Sequence, residues 1–363
     1  MKKKILGIET SCDDTSICIL EGDTGEYNEN PIVQAHHTYV QDLEFWGGVV
    51  PELASRNHME KLGPLVYQCL NNSNTKASEL DAIAVTTKPG LLGPLLTGLC
   101  FAKTLCLKHK LPLITVNHLF AHLEAIHLTE VVPYPYVGLL VSGGHSLLCL
   151  VSSPTEFKIL SSTIDDAAGE AFDKGGKLLG LPYPAGRIID EISKLGDESS
   201  YEFPIGLRGS KDGKLSFSGV KTSLRQYLEK NPHLVQKESV SLEIVPELSQ
   251  EFKDLCASYQ FAIVKALKLK TEEVFQILKE QGHKDLPLVI GGGVACNSRL
   301  RAELSKHFNT KLVKPSFCTD NGAMIANYGL RTFESHVAFP DCLWVDARGR
   351  FLDKKELNQS LAK

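Results

Sequence analysis

Two segments of the chain repeat one pattern of hydrophobic and polar positions. A hydrophobic run at Ile5–Ile8, a polar stretch at Glu9–Asp14 and a second, mostly hydrophobic run at Thr15–Leu20 predict strand, turn and strand. The segment Tyr136–Val151 has the same layout around a small polar turn at Ser142–Ser146. Each predicted hairpin therefore presents a polar loop at one end. The repetition indicates an internal duplication at the level of architecture.

The rest of the pattern alternates helices with short buried strands, which is typical of an α/β protein. Helices are predicted at 53–71, 95–109, 255–278 and directly after residue 116, and strands at 81–86, 113–116 and 286–290. The segment 182–218 shows no clear periodicity and is expected to form loops. The segment 231–249 is expected to be an extended connection.

The composition is that of a folded protein long enough for two domains. The chain has 363 residues, of which 43% are hydrophobic and 23% charged, and these figures exclude a disordered chain, a collagen and a coiled coil. The formal net charge is −4 at pH 7, which excludes a stand-alone electropositive clamp for nucleic acid. A nucleic-acid substrate would need a local basic surface or a partner protein.

The ten cysteines contain no C-x-x-C pair, which argues against a zinc knuckle or a thioredoxin-type site. Most stand in hydrophobic runs, as Cys100 and Cys106 do, and are expected to be buried free thiols in a reducing compartment. The hydrophobic stretch near the start is too short for a secretory signal, and no run approaches the ~20 apolar residues of a membrane span. These features predict a cytoplasmic protein with no membrane segment.

His118 and His122 are the strongest candidate metal ligands. Their i, i+4 spacing on a predicted helix places both imidazoles on one face, within reach of one ion. Neutral imidazole suits Zn or Fe, and Asp320 is a candidate for a remote carboxylate ligand. The alternative is a pair of surface or capping histidines. Leu119 stands where a metalloprotease of the H-E-x-x-H type has its general base, which weakens a protease interpretation.

Two glycine-containing strand ends are candidate ligand loops. The turn at Ser142, Gly143 and Gly144 would bring backbone N–H groups close to a phosphate, although a simple hairpin turn is the more frequent explanation when this motif is taken alone. The run Gly291–Gly293 ends another strand and is followed by Asn297, which could contact an adenosine. Its spacing is not G-x-G-x-x-G, so a dinucleotide-binding Rossmann site is disfavoured.

An acidic segment forms a further candidate. Asp165, Asp166, Glu170 and Asp173 lie within nine residues, and such a density suggests contacts with solvent, ribose, a metal or substrate. A charged helix start explains Asp165 and Asp166 but leaves Asp173 unexplained. Together, two polar hairpin loops and a glycine-rich strand end in an α/β framework describe a nucleotide held between two related halves, as in actin-like ATPases.

The motifs of the chain resemble those of the tRNA threonylcarbamoyladenosine transferase family (TsaD type, once described as O-sialoglycoprotein endopeptidases). The stretches that carry the resemblance are GIETSCDDTS (7–16), GGVVPELASRNH (47–58), VNHLFAH (116–122), LVSGGHS (140–146), IDDAAGEAFDK (164–174), FSGVKT (217–222), GGGVACN (291–297) and CTDNGAMIA (318–326). The resemblance implies an α/β protein of the actin/Hsp70-like (ASKHA) fold, with two duplicated lobes and a ligand cleft between them. On this basis the N-terminal lobe spans 1–125, the C-terminal lobe with insertions spans 126–340, and a tail spans 341–363.

The resemblance also implies the site residues. The family's ligands for one divalent metal ion per subunit, Fe²⁺ before Zn²⁺, fall on His118, His122 and Asp320. Its substrate-binding positions fall on Leu140, Val141, Ser142, Gly143, Gly144, Asp173, Gly186, Asp190 and Asn297. The proton acceptor is not evident from the motifs, and Asp13 is our candidate because the first loop faces the phosphates in actin-like folds.

The reaction implied is transfer of the threonylcarbamoyl group from threonylcarbamoyl-AMP to N6 of the adenosine adjacent to the anticodon, in tRNAs that read codons beginning with A. The expected partners are this tRNA, a TsaB-type paralogue and a TsaE-type P-loop ATPase. The cluster Lys265, Lys268, Lys270, Arg299 and Arg301 is a candidate surface for tRNA.

Two departures and two alternatives remain open. Lys88 and Pro94 differ from the usual family pattern, in a loop that we expect near a subunit or partner surface. A metalloprotease would require a general base beside the histidines, and Glu124 lies two residues past His122. An actin-like ATPase or scaffold would keep the loops but would not require the metal ligands to converge.

Overall fold

Two β-sheets with the same internal order form the frame of the molecule. The computed structural model describes residues 2–25, 31–41, 46–207 and 213–350. The first sheet has the order β3-β2-β1-β4-β5 and the second β11-β10-β6-β7-β8-β9. Their strands are β1 (Lys2–Glu9), β2 (Thr15–Asp23), β3 (Ile32–Tyr39), β4 (Ala82–Lys88), β5 (Leu113–Asn117), β6 (Tyr136–Val141), β7 (Ser146–Ser153), β8 (Glu156–Thr163), β9 (Lys214–Leu215), β10 (Leu288–Gly291) and β11 (Thr310–Leu312).

The strand directions confirm the predicted duplication. In the first sheet β1, β2 and β3 are antiparallel neighbours, and β4 and β5 continue parallel to β1. In the second sheet β6, β7 and β8 are antiparallel, and β10 and β11 continue parallel to β6. The strand β9 adds a short parallel edge beside β8. Each half therefore begins with a hairpin whose turn lies at the same end of its sheet.

Helices cover the faces of these sheets. They are α1 (Pro51–Asn72), α2 (Leu92–His109), α3 (His118–Glu124), α4 (Ala168–Leu179), α5 (Gly186–Ser193), α6 (Ser218–Lys230), α7 (Gln250–Glu280), α8 (Ser298–Ser305), α9 (Pro315–Cys318) and α10 (Gly322–Arg331). Of these, α1 and α2 pack on one face of the first sheet and α10 packs on the other. Both faces of β1 are therefore covered, which explains why its second half is continuously buried.

The contact between β1 and α10 depends on glycine. A Cβ atom on Gly7 would lie 2.3 Å from the carbonyl oxygen of Gly322 and 2.5 Å from the amide nitrogen of Ala326. No side chain fits at that distance, so Gly7 lets the helix backbone rest directly on the strand. Since Asp320 lies just before α10, this contact also fixes the position of Asp320 relative to the first sheet.

The last part of the chain returns to the first sheet. Val337 pairs with Leu113 in an isolated bridge, and the amide of Arg348 donates to the carbonyl of Thr87 at 2.8 Å. The lobe boundaries at 125 and 340 stay a prediction, and residues 351–363 of the predicted tail lie outside the described residues. What the structure adds is that segments from both ends of the sequence pack on one sheet.

Several elements differ from the prediction. The strands β3 and β8 were not predicted. The segment 182–218, expected to be loops, contains the helix α5 and the strand β9, with 208–212 outside the described residues. The connection 231–249 contains two short 3₁₀ helices, Pro232–Leu234 and Leu242–Glu247. The helix predicted at 255–278 is longer and spans Gln250–Glu280.

The cysteines are mostly buried free thiols, as predicted. Cys12 is partly buried, and Cys100 and Cys296 are exposed, so the expectation is wrong for Cys100. Within the described ranges, no helix combines the length and the apolar character that crossing a membrane requires.

Candidate metal and nucleotide site

A cavity of about 1120 Å³ opens where the two sheets face each other. The turns of the two duplicated hairpins form opposite parts of its wall, with Ser11–Asp14 after β1 and Ser142–His145 after β6. His118 and Asp320 lie at its base. This volume slightly exceeds the range of about 300–1,000 Å³ that is usual for ligand sites, so a nucleotide with an attached amino-acid group fits.

The two predicted histidines lie on α3, which begins directly at the end of β5. Asn117 ends the strand and caps the helix, because its Oδ1 accepts from the amides of Leu119 at 3.0 Å and Phe120 at 3.4 Å. This cap fixes the first turn of the helix. His118 and His122 then lie on consecutive turns of the helix, both are buried, and His118 lines the cavity.

Asp320 completes a convergent set of three ligand atoms. Its Oδ1 lies 3.1 Å from Nε2 of His122 and 3.5 Å from Nε2 of His118, and the two Nε2 atoms are 3.2 Å apart. Ligand atoms bound at ~2.1 Å to one tetrahedral ion lie roughly 3–3.5 Å apart, so the three distances fit one ion. Two imidazoles and a carboxylate are a donor set that suits Fe²⁺ or Zn²⁺.

Glu9, which the sequence did not single out, supports this site from behind. It is fully buried, and its Oε2 lies 3.2 Å from Nδ1 of His118, next to the Ser11 hydroxyl at 3.1 Å from the same nitrogen. Glu9 also accepts from the Thr86 hydroxyl and the Ser11 amide, both at 2.5 Å. A carboxylate on Nδ1 orients the ring and leaves Nε2 as the ligand atom, which is the usual outer arrangement of metal-binding histidines.

The charges at the base of the cavity favour a cation. Burial alone would raise the pKa of Asp320, but His118 and His122 hold it well below its usual range. Burial would lower the pKa of His118, but Asp320 and then Glu9 outweigh it and raise that pKa to about 9. Two ionised carboxylates thus require one positive charge between them, which a protonated histidine or a metal ion can supply.

The loop after β6 has the open backbone expected for a phosphate site. Cβ atoms placed on Gly143 and Gly144 would meet no atom within 4 Å, and both residues line the cavity with Ser142. The amide of Ser142 donates to the carbonyl of His145 at 2.8 Å, which closes the turn. The side chains of Leu140 and Val141 are fully buried in the sheet, so these two residues position the loop.

Asp173 lines another part of the cavity wall, and Gly186 lies beside it without lining the cavity. Asp173 is on α4 and accepts from the amide of Ala185 at 2.9 Å, directly before Gly186 begins α5. Burial raises the pKa of Asp173. Asp173 lines the cavity and retains carboxylate oxygen capacity beyond this hydrogen bond.

Asp190 and Asn297 have structural partners and do not line the cavity. Asp190 accepts from the amide of Ser298 at 3.0 Å and from its hydroxyl at 2.9 Å. Asn297 caps α8 by accepting from the amide of Leu300 at 2.9 Å and donates to Oε1 of Gln260 at 2.6 Å. These contacts join α5, α7 and α8 behind the glycine run, where Gly293 reaches the cavity wall.

The first loop holds two acids, Asp13 and Asp14, and both line the cavity. Burial raises the pKa of Asp13. Burial and the neighbouring Asp13 raise the pKa of Asp14 to about 8. The Oδ1 atom of Asp14 is buried without a hydrogen-bond partner among the described residues. Asp14 was missed by sequence reasoning, although its place beside Asp13 in the same polar loop was the available signal.

The acidic segment and the FSGVK segment prove to be partners of each other. Asp165 accepts from the hydroxyls of Ser216 and Ser218 and from the amide of Phe217. Asp166 pairs with Lys174 and Lys221, both at 2.5 Å. These contacts hold two loops together, so they account for Asp165 and Asp166 without a ligand.

Glu124 is not placed to serve as a protease base. Its side chain is fully buried and accepts from the hydroxyls of Tyr134 at 2.6 Å and Tyr136 at 2.7 Å, and it pairs with Arg331 at 2.7 Å. It does not line the cavity. The ion pair instead joins the end of α3 to the end of α10. The helix α3 carries His118 and His122, and α10 follows Asp320.

The five basic residues proposed for tRNA do not form an open patch. Lys268 pairs with Glu303 at 3.5 Å, and Arg299 pairs with Glu198 at 2.7 Å. Arg301 donates to the carbonyl of Val313 at 2.9 Å. Lys270 is buried and pairs with Glu273, and Lys265 lies over the ring of Phe261. Most of these side chains therefore pair with acidic residues or backbone carbonyls of the same chain.

The two departures from the family pattern lie in different surroundings. Lys88 ends β4 and is partly buried. Pro94 is buried in the first turn of α2, and its carbonyl accepts from the Thr10 hydroxyl at 3.1 Å. The expectation of a surface role is therefore wrong for Pro94. This residue instead takes part in the packing of α2 against the first loop. The end of the described chain adds Gly349 and Arg350 to the cavity wall, which no motif had indicated.

The duplicated sheets and the polar cleft between them define the class of this protein as actin-like. In agreement, the solved structure of full-length HypF in the phosphate- and nucleotide-bound form superposes with a TM-score of 0.55 at 15% identity, covering 92% of this chain and 46% of HypF. This likeness concerns the fold alone.

The sequence comparisons identify the family. The model of the family described as tRNA N6-adenosine threonylcarbamoyltransferase (TsaD) matches residues 32–327. A protein of that name from Anaeromyxobacter sp. (strain Fw109-5) is 44% identical over 337 residues, covering 91% of this chain and 94% of its own. One from Treponema denticola is 39% identical over 356 residues, covering 97% and 99%. The chain belongs to the tRNA N6-adenosine threonylcarbamoyltransferase family.

Proposed function

We propose that the protein transfers the threonylcarbamoyl group of threonylcarbamoyl-AMP to N6 of the adenosine adjacent to the anticodon, in tRNAs that read codons beginning with A. The observation that carries this proposal is the convergence of His118, His122 and Asp320 at the base of a nucleotide-sized cleft, in a chain of this family. The transferase activity itself follows from family membership. The donor and the target position are the finer part of the proposal.

The donor is held along the wall of the cavity. The amides of Gly143 and Gly144 bind its phosphate, because these two glycines leave the backbone open, while the Ser142 amide closes the turn. Leu140 and Val141 hold that turn, Asp173 accepts from the ribose hydroxyls, and Gly186 lies beside them. Asp190 and Asn297 shape the adenosine end by fixing α5 against α8.

His118, His122 and Asp320 bind one divalent ion, for which we propose Fe²⁺ with Zn²⁺ as the alternative. When bound, such an ion supplies Lewis acidity toward phosphate or carbonyl oxygens and fixes their position. Glu9 holds the His118 ring in the orientation that presents Nε2 to it.

The chemistry is the attack of an amine on an activated carbonyl. The bond from N6 to the carbonyl carbon forms, the bond from that carbon to the phosphate oxygen breaks, AMP leaves, and N6 loses one proton. The donor is already activated, so the protein contributes mainly position and stabilisation of the oxyanion. We propose Asp13 as the proton acceptor, since it lines the cavity and burial raises its pKa, which makes the carboxylate a stronger base.

Neither alternative function is favoured. A metalloprotease would require a carboxylate base at the metal, and Glu124 is engaged elsewhere with Arg331 and two tyrosines. An ATPase or scaffold would not require the ligand atoms of His118, His122 and Asp320 to converge.

The proposal extends to partners and location. We expect the chain to act with a TsaB-type paralogue and a TsaE-type P-loop ATPase, in the cytoplasm. The basic residues on α7 and α8 are paired with groups of the same chain and offer little free positive charge there. This supports binding of tRNA jointly with the partner proteins.

The test is a reconstituted reaction. Purified protein and partners are mixed with threonylcarbamoyl-AMP and an unmodified tRNA that reads a codon beginning with A, and digested nucleosides are measured by mass spectrometry. We expect threonylcarbamoyladenosine from this tRNA and none from the same tRNA with guanosine at the target position. ATP hydrolysis without nucleoside product would instead support the actin-like ATPase.

A further inference from the structure

Two cations lie at the mouth of the cleft without a partner in the described part of the chain. Lys177 on α4 and Arg350, the last described residue, both line the cavity and are both exposed, which places them at its opening. Among the residues that the structure describes, neither side chain makes a hydrogen bond or an ion pair. The other lysine of the wall, Lys174, pairs with Asp166 and Glu170. Lys177 and Arg350 are therefore available to an anionic ligand.

The backbone before Arg350 is fixed to the first half of the molecule. The carbonyl of Gly349 accepts from the amide of Gly90 at 3.2 Å, and the amide of Leu91 donates to the carbonyl of Ser11 at 2.8 Å. Ser11 begins the part of the first hairpin turn that lines the cavity. Arg350 is thus held beside this turn by the backbone, while its guanidinium is left to bind something else.

Lys177 belongs to the second half and reaches toward the first. It lies in the last turn of α4, and its Nζ is 3.7 Å from the position that a Cβ on Gly47 would take. Gly47 precedes α1 and also lines the cavity. The two cations therefore come from different halves, and both lie where the halves meet at the opening.

The rest of the cavity wall is mainly acidic. Its described carboxylates are those of Asp13, Asp14, Glu170, Asp173 and Asp320. An RNA backbone carries a negative charge on each phosphate, so these acids repel it. The acids are partly buried whereas the two cations are exposed, so an approaching RNA meets the cations first. The basic residues on α7 and α8 do not supply this charge, because they are paired within the chain.

We propose that Lys177 and Arg350 bind backbone phosphates of the anticodon loop, one from each half, while the target adenosine is turned into the cleft. N6 reaches a donor at the base of the cleft only if its base leaves the stack of the loop. A guanidinium binds two phosphate oxygens at once, and an ammonium acts as a point charge. The donor lies deeper, over His118 and Asp320, so the exposure of both cations favours the RNA as their ligand. This assignment rests on the proposed function, because it takes tRNA as the substrate of this cleft.

The binding test measures tRNA affinity over a series of salt concentrations, with the partner proteins present. Lys177→Ala is compared with Lys306→Ala, and both remove an exposed lysine, but Lys306 does not line the cavity. Arg350→Ala is compared in the same way with Arg225→Ala, which removes an exposed arginine of α6.

We expect each cleft variant to bind tRNA roughly three- to tenfold more weakly at low salt. The slope of log affinity against log salt should fall by about 0.7, which corresponds to one lost contact with a single strand. The two controls should keep the wild-type affinity and slope. Wild-type affinity in both cleft variants, or equal losses in the controls, would overturn the proposal.

Steady-state kinetics distinguish this proposal from the proposed function. We expect the KM for tRNA to rise in Lys177→Ala and Arg350→Ala by the same factor as the affinity falls, while the KM for threonylcarbamoyl-AMP and kcat stay at the wild-type values. A raised KM for the donor with unchanged tRNA affinity would assign the two cations to the donor and overturn the proposal. Absence of product from the wild type would contradict the proposed function instead, and the binding comparison would still decide the role of the two cations.

Discussion

At the scale of single residues, the most informative side chain is Glu9, because it acts on the metal site through His118. Replacing Glu9 by Gln keeps the shape and removes the charge that orients the ring. We expect metal affinity to fall about 10- to 100-fold, the usual effect of losing such an outer partner. Competition with a chelator, read by elemental analysis, measures this. Glu52→Gln, at an exposed position on α1, is the matched control, and equal affinities for the two variants would contradict the assigned role.

His127 makes a prediction about pH. It is fully buried, and burial followed by the charge of Arg331 lowers its pKa to about 2. The unfolded chain titrates near 6.5, so between these values the unfolded state binds more protons and stability falls as the pH falls. From pH 7.5 to 5.5 this residue should cost about 1.4 kcal/mol.

The measurement is urea unfolding of the wild type, His127→Gln and the exposed control His307→Gln at both pH values. We expect His127→Gln to lose less stability on acidification than the other two proteins do. Parallel losses in all three would show that His127 is not held neutral in the fold.

At the scale of elements, the seat of α10 on β1 links packing to the site. Gly7→Ala would place a methyl group 2.3 Å from a backbone oxygen, so either the strand or the helix must move. We expect a loss of about 1–3 kcal/mol or more, the range for overpacking. Gly219→Ala on α6 is the control, because its Cβ would meet nothing within 4 Å and no proline follows it, so this variant should not lose stability.

Thermal and urea unfolding of both glycine variants, together with their metal affinity, test this. Because Asp320 lies two residues before α10, Gly7→Ala should also weaken metal binding, and Gly219→Ala should not. A Gly7→Ala protein as stable as the wild type would show that the helix does not rest on the strand as described.

The elements that sequence reasoning predicted are those with a strong hydrophobic period. The hydrophobic pattern predicted the buried strands β1, β4, β6 and β10 and the long helix α7, because their side chains face a core on one or two sides. The strands β3 and β8 were missed because each follows a hairpin as a third antiparallel strand and is only partly buried, so polar residues such as those of His36–Tyr39 break the alternation.

At the scale of the whole molecule, the site could be predicted only in part. The spacing of His118 and His122 placed two ligands on one helix face, but Asp320 is 198 positions from His122, and no local pattern brings it there. The packing of α10 on β1 and α3 does so, because Asp320 lies just before that helix. Glu9 and Asp14 were missed because a single carboxylate at the end of a strand or in a polar loop has no periodic signal.

The central claim is that the transfer reaction depends on the three convergent ligands at the base of the cleft. The most direct measurement is formation of threonylcarbamoyladenosine by the wild type, by the double variant His118→Ala/His122→Ala, and by the control His283→Ala/His307→Ala, whose histidines lie away from the cavity. The account predicts product from the wild type and the control, and nearly none from the first double variant. Product from that variant at the wild-type rate would contradict it.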